Sequence, residues 1–228
     1  MIPLSVPNLA GNEWLYIKDC LDTNWVSATG SYVDKFERLI TEYTQTKYAV
    51  AVSSGTTALH ISLLLAGVEQ NDLVITNNLT FVATANAIKY LKADPILMDI
   101  TPDTWQIDTH LLANFLNLDC EIKNGFCYQK ASKRRIKALL PVHVLGNMAA
   151  MDELILLSEK YNLTLVEDAA ESLGSLYQHK HAGNWGKMAT LSFNGNKIIT
   201  TGGGGMILTN DETLAKKAKH LTTQAKAS

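Results

Sequence analysis

Short apolar runs alternate with longer amphipathic ones along this chain, and that rhythm predicts its elements. Residues 31–45 place Val33, Phe36, Leu39, Ile40 and Tyr43 at three- and four-residue steps, the stripe of a helix that buries one side. YAVAV at 48–52 is apolar and stops at Ser53-Ser54-Gly55, so it reads as a strand. Thr56–Ala66 then reads as a helix, LVIT at 73–76 as a buried strand, Phe81–Leu91 as a helix and PILMD at 95–99 as a strand. Beyond residue 100 the pattern predicts helices at 108–118, 149–161 and 211–222, with strands at 136–140, 163–167, 188–193 and 205–209. Residues 119–135 show no periodicity and read as a surface insertion.

Several strands are continuous apolar runs rather than alternating ones. That suits a mostly parallel sheet covered on both faces, so the expected fold is a three-layer α/β/α domain. The 228 residues fit one large domain over 1–228, with residues 1–30 as a possible arm. Hydrophobic residues at 46% and charged residues at 18% exclude disorder and coiled coil. Twenty Lys+Arg against 22 Asp+Glu leave a net charge of −2, which argues against nucleic acid as the main partner. The densest basic run, Lys130–Lys137, reads as a solvated loop. Three cysteines, Cys20, Cys120 and Cys127, match no zinc spacing and suggest free thiols in a reducing compartment. The start has no signal-peptide pattern, and no apolar run approaches the ~20 residues of a membrane helix. The expectation is a cytoplasmic protein that binds neither metal nor membrane.

Ligands of open α/β sheets sit outside the carboxyl ends of the strands, so the candidate chemistry is sought there. Ser53-Ser54-Gly55-Thr56-Thr57 joins a strand end to a helix start, where small residues and free N–H groups suit a phosphate. It is neither a P-loop nor a GxGxxG, and a plain helix cap is the competing reading. Asp168, in VEDAAE, closes an apolar strand and faces the ligand crevice, where it serves a cationic ring nitrogen, a metal, a ribose or only a helix cap. Lys197 lies between a strand and the run Gly202–Gly205; apolar neighbours would favour its neutral, nucleophilic form, and a surface turn is the alternative. Phe81 either stacks on a planar ring or joins the core.

A phosphate cradle, a strand-end Asp, a lone Lys and an aromatic plate are together the parts that pyridoxal 5′-phosphate (PLP) requires. The amine bonds to its aldehyde, and the carboxylate keeps its pyridine nitrogen protonated. Here the sequence resembles the DegT/DnrJ-type family of PLP-dependent nucleotide-sugar aminotransferases, of the aspartate aminotransferase fold (fold type I). The resemblance runs through SSGTTALHISLLLAGV, LTFVATANAIKYLKADPILMDITPDTWQID, LLPVHVLGNMAAMDEL, LVEDAAESLGS and LSFNGNKIITTGGGGMILTND, in that order. It implies that Lys197 is the Schiff-base lysine and proton shuttle and that Asp168 pairs with the ring nitrogen. Phe81 stacks on the ring, Gly55, Thr56, Thr57 and Ser192 hold the phosphate, and Glu171 lies near the cofactor's O3′. His143 either approaches the cofactor or merely packs.

The ending HLTTQAKAS is similar to the branch that makes 4-amino-4,6-dideoxy sugars on a UDP-N-acetylhexosamine. The resemblance thus implies a homodimer that moves an amino group from glutamate to a UDP-linked 4-keto-6-deoxy sugar for surface glycan synthesis. Family members continue into a smaller C-terminal subdomain, expected here to be absent, so an inactive PLP-binding fragment is the rival reading. A PLP-dependent sugar dehydratase on the same scaffold is disfavoured by Lys197, where such relatives place His.

Overall fold

The computed structural model describes residues 2, 5–223 and 225. Two helices open the chain, α1 (Glu13–Asp22) and α2 (Ser31–Thr44). Strand and helix then alternate: β1 (Tyr48–Val52), α3 (Gly55–Leu65), β2 (Leu73–Asn77), α4 (Val82–Tyr90), β3 (Asp94–Met98) and α5 (Thr109–Asp119). A hairpin of β4 (Cys120–Lys123) and β5 (Phe126–Gln129) precedes β6 (Arg135–Leu140), α6 (Met151–Lys160) and β7 (Thr164–Asp168). The short strands β8 (Leu176–Tyr177) and β9 (Lys180–His181) form a separate ribbon, followed by β10 (Met188–Ser192), β11 (Gly205–Thr209) and α7 (Glu212–Thr222).

The main sheet runs β1-β11-β10-β7-β6-β2-β3. Its inner pairs β10–β7, β7–β6, β6–β2 and β2–β3 are parallel, and β11 alone on this path is reversed, antiparallel to both β10 and β1. Successive side chains of a strand point to opposite faces, and both faces are covered. Val74, Ala138, Leu140, Val166 and Ile207 pack with Leu59 and Leu63 of α3 and Ala87 and Ile88 of α4. Ile75, Ile136, Leu139 and Leu165 pack on the opposite side with Leu112 and Leu116 of α5 and Leu154 of α6. Farther along that side, Ala49, Leu191, Met206 and Leu208 meet Ile40 of α2. This is the three-layer α/β/α architecture. Because β1, β2, β3, β6, β7 and β10 share one direction, their carboxyl ends lie along one edge, and the loops after them form one rim.

Two expectations are corrected. The stretch 119–135 is not an unstructured insertion: β4 pairs antiparallel with β5, which in turn pairs with the start of β6, and Cys120 and Cys127 are buried. Asn124 and Gly125 supply the two positive-φ residues (51° and 78°) that a tight hairpin turn demands. Nor is Lys130–Lys137 simply a solvated loop. Arg135 grips Asp72 through both oxygens, at 2.8 and 2.6 Å, and Arg134 reaches Asp94 at 2.6 Å. These pairs tie β6 to the loop before β2 and to β3. Within the segment 1–30, α1 buries none of its residues, and Tyr32 anchors it by donating to Asp19 at 2.9 Å.

Leu139 is fully buried between β6 and the α5/α6 layer. Truncating such a leucine removes its transfer energy and leaves a cavity. Leu139→Ala is expected to lower unfolding free energy by about 2–5 kcal/mol in a urea titration. The exposed Leu156→Ala is expected to shift it by under about 0.5 kcal/mol.

Candidate active site

The rim encloses a cavity of 590 Å³. Its floor and walls come from the loops after β1, β2, β3, β6, β7 and β10, so residues far apart in sequence meet there. Lys197 and Asp168 both line it, together with Gly55, Thr56, Phe81, Glu171, Ser192 and His143. Thr57 does not line it: its N–H donates to Ser54 Oγ at 3.1 Å and its hydroxyl meets Ser54 Oγ at 3.0 Å, which completes the cap of α3.

The start of α3 is built for close approach. A Cβ on Gly55 would lie 2.8 Å from Ser192 Cβ, so only glycine lets the end of β1 sit against the end of β10. A side chain on Gly205 would run into the Ser54 carbonyl, which holds β11 equally close. The N–H groups of Gly55 and Thr56 open the helix and have no backbone partner among the described residues. The hydroxyls of Thr56 and Ser192 also have none, and both residues line the cavity. Two free N–H groups, two free hydroxyls and the positive end of the helix make an anion cradle.

Asp168 is 5% exposed at the end of β7. Thr84, inside α4, donates its hydroxyl to Asp168 Oδ2 at 2.7 Å, and the Ala170 N–H donates to Oδ1 at 3.2 Å. No cation lies within ion-pair distance of it among the described residues. Burial therefore raises its carboxyl above the ordinary range, although Thr84, Ala170, His143 and Lys197 all pull the other way. A buried acid short of a positive partner fits a protonated ring nitrogen.

Its neighbour Glu167 points away and is saturated. It receives His143 Nε2–H at 3.1 Å and the N–H groups of Gly183, Trp185 and Gly186 at 3.0, 3.1 and 2.8 Å. Burial alone would raise its carboxyl, but His143 and the backbone donors hold it below the ordinary value. The Ala149 N–H donates to His143 Nδ1 at 3.3 Å, so His143 Nε2 carries the proton toward Glu167. His143 is thus both packed and part of the cavity wall.

Lys197 differs from its expected setting. Ile198 and Ile199 point largely to solvent, and the Lys197 Nζ instead pairs with Glu171 Oε1 at 2.8 Å. The side chain is 14% exposed, as a partly desolvated lysine would be, but its amine is held by a carboxylate from another loop. Phe81 caps α4 outside the core, 75% exposed, with its ring at the cavity. Thr84, Trp105 and Leu145 also line the cavity, although the sequence assigned none of the three a role of its own. The i,i+4 spacing of Thr80 and Thr84, whose hydroxyls meet at 2.7 Å, is the one local signal for the first. Trp105 and Leu145 both adopt positive φ (62° and 55°), a backbone that costs a bulky residue about 1–2 kcal/mol.

The charge state of Asp168 gives a pH test. A carboxyl raised in the folded state keeps its proton where the unfolded chain has released it. Its stabilisation is therefore present at low pH and lost as pH rises from the unfolded value through the folded one. Without ligand, Asp168→Asn is expected to be more stable than wild type at pH 7 in urea titrations, with the gap narrowing as pH falls through the carboxylate range.

Among the described residues no helix is long and apolar enough to cross a membrane, and no cluster of His, Cys, Asp and Glu is placed to hold a metal. The model of the DegT/DnrJ/EryC1/StrS aminotransferase family matches residues 7–228. GDP-perosamine synthase of Escherichia coli O157:H7 is 40% identical over 99% of this chain and 58% of its own length. The solved structure of DesI in the presence of its TDP-sugar product superposes with a TM-score of 0.82, at 29% identity, over 96% of this chain and 52% of that one. NtdA from Bacillus subtilis, with its bound cofactor pyridoxamine phosphate, does so with a TM-score of 0.78 at 31% identity, over 91% of this chain and 43% of that one. The chain thus spans about half the length of the relatives it matches. With its sheet, its rim of loops and its match over residues 7–228, the chain belongs to the DegT/DnrJ/EryC1/StrS aminotransferase family.

Proposed function

We propose that the chain is the PLP-binding large domain of a nucleotide-sugar aminotransferase. The observation that carries this reading is one cavity holding the Lys197 amine, a buried Asp168 without a cation, and an anion cradle between the start of α3 and Ser192. PLP, when bound, supplies an aldehyde carbon that bonds to amines and a pyridinium ring that draws electrons from the adjacent carbon.

The chain's own residues do the rest. The Gly55 and Thr56 N–H groups and the Thr56 and Ser192 hydroxyls would hold the phosphate. Asp168, oriented by Thr84, would keep the proton on the ring nitrogen, and Phe81 would cover one ring face. Glu171 holds the Lys197 amine at 2.8 Å, and its carboxylate would serve the ring hydroxyl of a bound cofactor. Lys197 Nζ takes a proton from the reacting carbon and returns it, a role for a positioned amine near the bond that breaks. Transfer then runs in two halves: glutamate leaves as its 2-keto acid, and a keto sugar leaves as an amino sugar.

For the acceptor we favour a UDP-linked 4-keto-6-deoxy-N-acetylhexosamine in surface glycan synthesis. That choice rests on the ending HLTTQAKAS, of which residues 224 and 226–228 lie outside the described ones. A GDP-sugar synthase and a TDP-sugar enzyme stand among the similar proteins, so the assay must offer all three nucleosides. The reading includes a cytoplasmic homodimer. A second reading, a domain that binds cofactor without turnover by itself, is favoured by the half-length match.

Purified protein given PLP is expected to develop a visible absorption band, and Lys197→Ala to lose it. No band in the wild-type chain would defeat the cofactor assignment. Asp168→Asn is expected to keep the band and to slow amino transfer from glutamate by roughly 10²-fold or more, since the buried charge at the ring nitrogen is gone. Equal single-turnover rates would remove Asp168 from that role. A band with no transfer to UDP-, GDP- or TDP-linked keto sugars selects the second reading.

A further inference from the structure

Trp105 is a large aromatic side chain that the fold spends no core on. It sits in the loop between β3 and α5, half-exposed, and lines the same cavity as Lys197 and Asp168. Its indole N–H makes no hydrogen bond among the described residues, whereas the Trp25 indole does. The backbone beneath it is not loose. The Trp105 N–H donates to the Thr101 carbonyl at 2.9 Å, and the Thr101 N–H donates back to the Gln106 carbonyl at 2.9 Å.

The next residue carries the decisive contact. Gln106 is buried, and its side-chain amide brackets one residue of the loop after β6: Oε1 accepts from the Val144 N–H at 3.1 Å, and Nε2 donates to the Val144 carbonyl at 3.2 Å. Leu145, immediately after, also lines the cavity and is exposed. One buried amide therefore ties together the chain beside two positive-φ residues, both of which line the cavity. Strain of this kind persists where the surroundings over-determine it, and it concentrates at ligand clamps.

We propose that Trp105, pinned by Gln106 and flanked by Leu145, is a specificity-determining plate that stacks on the base of the nucleotide-linked acceptor. The inference rests on the aminotransferase reading and deepens it. The keto carbon must reach Lys197, whose side chain is 14% exposed, so the diphosphate and nucleoside extend outward, the direction in which Trp105 is half-exposed. Phe81 is already committed to the cofactor ring. His143 lines the cavity but is buried with both ring nitrogens engaged, so among the described residues the planar indole with its free N–H is the exposed aromatic surface left for a base.

The test is a titration of the full chain, loaded with PLP, by GDP, UDP and dTDP, following tryptophan fluorescence. At least one of the three is expected to quench the wild type, and Trp105→Phe to lose most of that signal. Trp105→Ala is expected to weaken nucleotide binding and raise the acceptor KM by about 5- to 100-fold. The KM for glutamate is expected to stay within about twofold, and Trp105→Tyr to recover most of the loss. Retention of the visible cofactor band in every variant shows that they fold. No quenching by any nucleotide, or an acceptor KM unchanged in Trp105→Ala, overturns the plate while leaving the cofactor reading intact. Loss of dimer in Trp105→Ala without loss of nucleotide affinity also overturns it, since the indole would then face a second copy. A missing cofactor band in the wild type defeats the parent reading instead.

Discussion

Two acids stand side by side on β7, and the contrast between them organises the site. Consecutive strand residues point to opposite faces, so Glu167 enters the packed interior and Asp168 enters the cavity. The interior supplies Glu167 with four donors, three of them backbone N–H groups, and its charge is fully met. Among the described residues Asp168 receives two donors and no cation, and burial raises it. The backbone then locks the pair in place: Asp168 N–H donates to Pro141 O at 2.9 Å, and His143 N–H donates to Asp168 O at 3.0 Å. An unmet charge on a rigid strand is stable only because the rest of the sheet holds it there. It is also a local demand for a cationic ligand.

That demand is set inside a frame made by strand direction. Six strands end on one edge, so the six loops that follow them face one another around one cavity. Lys197 on the loop after β10 and Glu171 on the loop after β7 meet at 2.8 Å for this reason. The apolar faces of β2, β6 and β7, divided between two helical layers, hold the frame rigid and leave the rim to polar and strained residues.

Most of the frame was legible because continuous apolar runs such as LVIT and ALL have few alternatives to buried strands. The β4–β5 hairpin was not read, although Asn124-Gly125 between Ile122 and Cys127 is a short-range turn signal; its four-residue strands are too brief for periodicity to show. Lys197, Asp168, Phe81 and the Ser53–Thr57 segment were legible as polar or aromatic residues at strand ends, and all but Ser53 and Thr57 line the one cavity. The surroundings of Lys197 were not, since its flanking isoleucines point outward and its partner comes from another loop. Trp105 escaped because positive φ leaves no trace in residue type unless the residue is Gly, Asn or Asp.

The reversed strand has a consequence for how the protein is made. β1 joins the main sheet only through β11, and the start of α3 is pressed against Gly205 at the head of that strand. Contacts spanning so much sequence form slowly, because loop closure must precede them. On the ribosome the anion cradle therefore stays open at one side until the 205–209 segment emerges. Closure of the phosphate end of the site accordingly waits on the pairing of β1 with β11, whichever part of the sheet condenses first.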